Sequence, residues 1–166
     1  ALDELFPYVK KDIKGTLEAM DGLPVVIRLL DPPLHEFVPK DPAKLEQLAR
    51  DLNITLDELA SRADGLHESN PMMGHRGVRL GITYPEVSEM QIRAIFEAAA
   101  ELIKEGMNPY PEIMIPVVCD VKELDDQFAI AKKIYQEVLA KYNLKKIKHM
   151  FGTMIEIPRA SIVADK

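Results

Sequence analysis

Apolar positions along the chain alternate between two periods, one helical and one extended. Residues Ala1–Met20 read as a helix, with Leu17 and Met20 three apart and Gly22 as a stop. The run from Pro24 to Leu30 is short and β-branched and is closed by Asp31 and two prolines, Pro32 and Pro33, so it reads as a strand. Two small helices are expected next. Asp41 can cap the first, with Pro42 opening it and Leu45, Leu48 and Leu52 on one face. Thr55 and Glu58 form a capping-box pattern for the second, which Gly65 ends. Residues Gly65–Gly77 are punctuated as a loop. Pro85 then opens a long helix with Val87, Met90, Ala94, Ile95, Ala98 and Leu102 along one side and Gly106 at its end. Glu112–Val118 reads as a second strand. Asp120 and Glu123 start a further helix whose apolar face is Leu124, Phe128, Ala131, Ile134, Val138 and Tyr142. His149–Ile157 is the third strand, stopped by Pro158.

Strands separated by amphipathic helices predict an α/β protein with a parallel sheet. The strands are nearly continuous apolar runs, as expected where both sheet faces are covered. One connection is unusual. The segment 31–84 between the first strand and its returning helix far exceeds the about 2–6 residues common in such units, and is expected to be a long helical excursion at the carboxyl end of the strand. In β/α barrels that end carries the active site, and a complete barrel takes about 250 residues. The 166 residues therefore predict an incomplete (β/α)8 TIM-type barrel of about three parallel strands with a long βα-loop insertion. A start at Ala1 and an end soon after the third strand add to the expectation of a partial chain. Two open sheet edges and uncovered apolar faces would favour pairing between copies.

Composition narrows the possibilities. Apolar residues at 47% and charged residues at 29% exclude a disordered or fibrous chain. A net charge of −6 has the wrong sign for nucleic acid or an anionic membrane. No apolar run reaches the roughly 18 residues of a membrane span, and one cysteine, Cys119, allows no internal disulfide. A cytoplasmic protein is expected, with neither nucleic acid nor membrane as partner.

Three places carry chemistry. Arg28 sits within an apolar strand, where a guanidinium needs an anion or a carboxylate. It reads either as a phosphate ligand or as the ion-pair partner of Asp31 or Glu156. Glu156 shares a strand face with Met150, Gly152 and Met154 in the expected register. At the carboxyl end of a barrel strand it reads as a metal ligand or base, or as a buried partner for an arginine. Arg28 and Glu156 are expected to project from neighbouring strand tips into one pocket. Gly74 and Gly77 flank His75 and Arg76, which lets backbone fold closely about a cationic group, although a turn with a solvated arginine has the same pattern. The histidines His35, His67, His75 and His149 lack zinc-site spacing. Cys119 beside Asp120 reads as an inert thiol, because the neighbouring charge disfavours a thiolate. The run Lys145–Lys148 reads as a solvated turn.

Three stretches together carry a resemblance: RLLDPPLHEF from Arg28 to Phe37, NPMMGHRGVRLGITYPE from Asn70 to Glu86, and GTMIEIPRA from Gly152 to Ala160. They resemble the pyruvate, phosphate dikinase family in its carboxyl-terminal barrel, over essentially all of 1–166. Phosphoenolpyruvate synthase and enzyme I of the sugar phosphotransferase system share the latter two patterns more loosely. The resemblance implies a phosphotransferase that interconverts ATP, phosphate and pyruvate with AMP, pyrophosphate and phosphoenolpyruvate. It implies that Arg28 and Arg76 bind substrate, Glu156 is one of two acidic ligands to Mg²⁺, and the parent enzyme is a homo-oligomer, a homodimer. The phosphohistidine motif, the ATP-grasp domain, a second-strand arginine, a Gly-Thr-Asn-Asp segment and a Cys-Gly-Glu-His motif of that family are not among these residues. The chain alone is therefore expected to be inactive. The alternatives are a non-catalytic, self-associating fragment or a segment of phosphoenolpyruvate synthase.

Overall fold

The computed structural model describes residues 1–31, 37–65 and 70–165. They form two compact units, Ala1–Asp31 with Gly77–Lys166, and Pro32–Arg76. Pro32, Pro33, His35 and His67, which entered the sequence argument, lie outside the described residues.

The larger unit holds a three-stranded parallel sheet in the order β1-β2-β3. Its strands are β1 (Pro24–Arg28), β2 (Tyr110–Ile115) and β3 (Met150–Thr153). The register sets Arg28 opposite Met114, and Met114 opposite Gly152. Helices α1 (Leu2–Ala19), α5 (Pro85–Lys104) and α6 (Val121–Tyr142) belong to one core cluster with one sheet face. Leu17, Ile92, Ile95, Phe96, Leu102, Ile113, Ile115, Ile134 and Val138 are its buried members, and Val25, Ile27 and Phe151 pack at its margin. The alternate residues face the other way. Val26, Arg28 and Met150 are exposed there, and Glu112, Met114 and Gly152 are half-buried. Among the described residues of this unit helices thus cover one face, whereas the apolar character of the strands predicted cover on both. This open α/β sheet is consistent with a partial barrel.

Strand ends differ from the expected ones for a connected reason. β2 starts two residues early and stops at Ile115, because Pro116 has no amide hydrogen and Val117 turns to φ 65°. With β2 turned away, β3 loses its partner. Its last ladder contacts are Met154 N–H and Thr153 Oγ1 donating to the Ile115 carbonyl at 3.1 and 2.8 Å. Met154–Ile157 consequently leave the sheet, and α7 (Pro158–Ile162) follows, a helix not expected from the sequence. Glu156 therefore lies beyond the strand, and does not share a strand face with Met150 and Gly152.

A second unexpected helix, α4 (Gly77–Thr83), changes which residue is buried near the start of α6. A Cβ on Gly81 would lie 2.8 Å from the Gln127 side-chain oxygen and against the Ser88 hydroxyl, so α4 sits close against α5 and α6. Gln127 is buried as a result, while Phe128 is 49% exposed. Ala131, Ile134 and Val138 are buried as the periodicity predicts. The capping box of α6 forms as expected from Asp120 and Glu123.

The smaller unit contains α2 (Pro42–Asp51) and α3 (Leu56–Gly65). The Asp41 carboxylate accepts the Ala43 amide at 3.0 Å, and Thr55 Oγ1 accepts the Glu58 amide at 3.2 Å. The Glu58 side chain pairs with Arg62 and leaves the box half-made. Among this unit's described residues Ala49 and Leu59 are buried apolar side chains, and a 3-10 turn lies at Pro71–Met73.

The exposure of Phe128 gives a test. Ile134→Ala is expected to cost about 2–5 kcal/mol, the usual range for emptying a buried site. Phe128→Ala should cost less than half as much, as read from urea unfolding midpoints. Equal losses would mean that Phe128 is buried as the periodicity predicts.

Candidate functional site

In a parallel sheet every carboxyl end lies on one edge, so the groups at those ends are brought to the same side of the molecule. Arg28 is the last residue of β1, and its side chain is 50% exposed. Its Nη1 is 3.5 Å from the Asp31 carboxylate, which is 3% exposed. An ion pair with one solvated partner contributes little to stability, but it orients the guanidinium. The remaining donors of its planar fork suit an anion. Gln91, on α5, steadies the same segment. Its side-chain oxygen accepts the Leu30 amide at 2.7 Å, and its amide donates to the Val87 carbonyl at 3.1 Å.

Glu156 stands past the end of β3 on the same edge, exposed, with Oε1 accepting the Val117 amide at 2.8 Å. β2 separates β1 from β3. Arg28 and Glu156 thus arise from strands about 10 Å apart, not from neighbouring tips, and no ion pair joins them among the described residues. Of the readings for Arg28, the Asp31 pair is present and the Glu156 pair is not. Glu156 does not serve as an arginine's buried partner.

The amide that holds Glu156 belongs to a strained residue. Val117 is 3% exposed with φ 65°, a conformation that costs a non-glycine residue about 1–2 kcal/mol. Arg76 belongs to the smaller unit and directly precedes Gly77, where α4 begins. Its Nη1 donates to the Met72 sulfur at 3.6 Å.

The donor chemistry at Glu156 fits one ligand of a hard cation: a carboxylate with one oxygen oriented by an amide and the other making no hydrogen bond to the described residues. The described residues contain no group of three or more His, Cys, Asp or Glu placed to hold a metal. Among the described residues Glu156 is not part of such a group.

The Cys119 thiolate is disfavoured, by a route other than the expected one. Burial pushes its thiol up, and Glu123, not Asp120, adds to the effect, with the thiol donating to Oε1 at 3.6 Å. Asp120 is paired with Arg159 at 2.8 Å. His149 is structural: its ring meets Phe96 and Tyr135, and Nδ1 lies 2.9 Å from the Ile147 carbonyl. Lys145, Lys146 and Lys148 are exposed, as expected, and Lys148 lies 3.9 Å over the Tyr110 ring. No helix among the described residues is long and apolar enough to cross a membrane.

The family model for the PEP-binding domain of PEP-utilising enzymes matches residues 3–166. The chain belongs to this family. As a PEP-binding domain, it is 49% identical over its full length to pyruvate, phosphate dikinase 1, chloroplastic, of Arabidopsis thaliana, covering 17% of that protein. It is 48% identical to the chloroplastic dikinase of Mesembryanthemum crystallinum, covering 18% of it. With the Clostridium symbiosum dikinase it shares 47% over 99% of its length, covering 19% of that protein. The chain spans under a fifth of the length of these curated relatives. The resemblance read from the three motifs is thereby shown.

Sequence reasoning did not find Val117 or Gln91. A β-branched residue gives no hint of left-handed backbone, and Val117 acts through its amide. Gln91 lies on α5 among apolar residues, and its partner is a main-chain group distant in sequence.

The Cys119 environment predicts slow alkylation. At pH 8 its raised pKa leaves less thiolate than an ordinary cysteine has, so iodoacetamide should react several-fold more slowly than with a free thiol. Glu123→Gln keeps the cap but removes the charge, which lowers the pKa and should speed the reaction. Mass-spectrometric time courses would read both, and an unchanged rate would show that Glu123 has no influence on the thiol.

Proposed function

We propose that the chain is the phosphoenolpyruvate- and pyruvate-binding part of a pyruvate, phosphate dikinase. The full-length enzyme would interconvert ATP, phosphate and pyruvate with AMP, pyrophosphate and phosphoenolpyruvate. Arg28 carries this reading: a half-exposed guanidinium, steadied by Asp31, on the sheet edge that also bears Glu156. Phosphoryl transfer needs little covalent work from the protein and much positioning and charge stabilisation. Arg28 would hold the phosphate of phosphoenolpyruvate, and Arg76 would supply a second guanidinium to the substrate. Glu156 would be one ligand to Mg²⁺. When bound, that ion supplies positive charge to the oxygen of the pyruvate enolate.

The relatives named above are dikinases, which favours this reading over phosphoenolpyruvate synthase. We extend the proposal to closure of the sheet into an eight-stranded barrel by further strands, with 31–84 as its long βα excursion. Homo-oligomerisation and a cytoplasmic location belong to the same proposal; the plant relatives are chloroplastic by name. The isolated chain is proposed to be inactive, because a single carboxylate is a poor Mg²⁺ site. Left alone, its exposed Val26 and Met150 would favour self-association.

In the full-length enzyme, Arg28→Lys keeps a charge but loses the planar fork. It should lower kcat/KM for phosphoenolpyruvate by roughly 100-fold; wild-type kinetics would remove Arg28 from the site. Calorimetric titration of the 166-residue chain with Mg²⁺ and phosphoenolpyruvate should give no micromolar binding. A micromolar isotherm would mean that this chain already holds a complete site.

A further inference from the structure

The turn after β2 is fixed on every side. Val78 N–H of α4 donates to the Pro116 carbonyl at 3.1 Å. Glu123 accepts the Cys119 and Asp120 amides at 2.8 and 3.1 Å. Between these anchors Val117 is buried with φ 65°. Its amide is thereby aimed across to β3's exit, where it meets Glu156 Oε1 at 2.8 Å.

The side chain of Val117 is pinned from α4. A Cβ on Gly77 would lie 2.8 Å from Val117 Cγ2 and 2.9 Å from the Pro116 carbonyl oxygen. Gly77 itself has φ 53°, so this approach demands glycine for both space and conformation. Strain of this kind persists only where the surroundings over-determine it, and it collects at functional sites.

We infer that Val117 is a positioning residue for Glu156: its left-handed backbone, held by the close approach of Gly77, fixes one carboxylate oxygen and leaves the other for a divalent cation. The inference rests on the reading of Glu156 as a metal ligand. Hydrogen bonds to a ligating carboxylate set its orientation, and losing such a contact commonly weakens metal binding by about 10–100-fold. Val117→Gly keeps the amide but removes the side chain that α4 grips. Gly77→Ala pushes on the same turn from the other side.

The test uses the full-length phosphotransferase and Mn²⁺ as a paramagnetic substitute for Mg²⁺. Electron paramagnetic resonance titration should show about tenfold weaker Mn²⁺ binding in Val117→Gly and in Gly77→Ala. The Mg²⁺ concentration for half-maximal activity should rise in step, with kcat recovering at saturating Mg²⁺. A merely structural role would lower kcat and the thermal midpoint without moving metal affinity. Circular dichroism identifies which variant has folded, and either one suffices. Valine-selective ¹⁵N labelling of the wild-type enzyme needs no variant: added Mg²⁺ should shift the Val117 amide resonance, and a stationary resonance counts against the inference. Glu156→Gln separates the two levels of the argument. If it abolishes Mn²⁺ binding while both turn variants bind normally, the positioning role is overturned. If it binds Mn²⁺ as the wild type does, the metal role of Glu156 falls, and the inference with it.

Discussion

The helical layer of the larger unit is organised around one buried carboxylate. Glu97, on the inner part of α5, is 2% exposed, and a charge there is tolerable only with close partners. Lys141 and Tyr142 of α6 donate to it at 2.7 and 3.3 Å, and Lys10 of α1 lies 3.6 Å away. One turn on, Glu101 gathers Lys10 and Lys14. Burial works against its ionised form, but those two lysines outweigh it and hold the carboxyl below the usual range. The same cluster, with burial leading, pushes the Tyr142 hydroxyl upward. These polar contacts fix α1 and α6 on either side of α5 in a way that apolar packing alone would not specify. With the helices fixed, Ile92, Ile95 and Phe96 share one core with Ile113 and Ile115 of β2, and the sheet is seated.

That seating decides where the candidate site lies. The strands are held from one side, their carboxyl ends fall on one edge, and that edge carries Arg28, Val117 and Glu156. The opposite face is mixed in character, with Val26 and Met150 beside Arg28 and Glu112. A carboxylate and a guanidinium on a sheet face are what a dry core rejects.

Much of this was legible in the sequence because it rests on local rules. The caps at Asp41 and Asp120, Pro85 at the start of α5 and the parallel order of three strands all follow from residue type and spacing. What was missed is tertiary. The end of β3 is dictated by Pro116, just past the end of β2, not by its own residues, which remain strand-like through Ile157. The burial of Gln127 over Phe128 depends on α4, whose glycine-rich sequence does not announce a helix. Arg28 was legible as an anomaly, but its choice of Asp31 needed the fold. Of Glu156, the sequence showed the carboxylate but set it within the strand, and concealed the amide that aims it.

The chain leaves the sheet after β1 and returns at α4, and both points are tied to the end of β2. Leu29 N–H donates to the Met114 carbonyl, and Val78 N–H to that of Pro116, two residues further along. Exit and re-entry are thus only a few ångströms apart. A framework stitched shut in this way is almost indifferent to how much polypeptide lies between the stitches, since doubling a flexible excursion adds only about 0.6 kcal/mol of closure entropy. On that reasoning the intervening segment could lengthen, shorten or diversify over evolutionary time while the strand ends keep their shape.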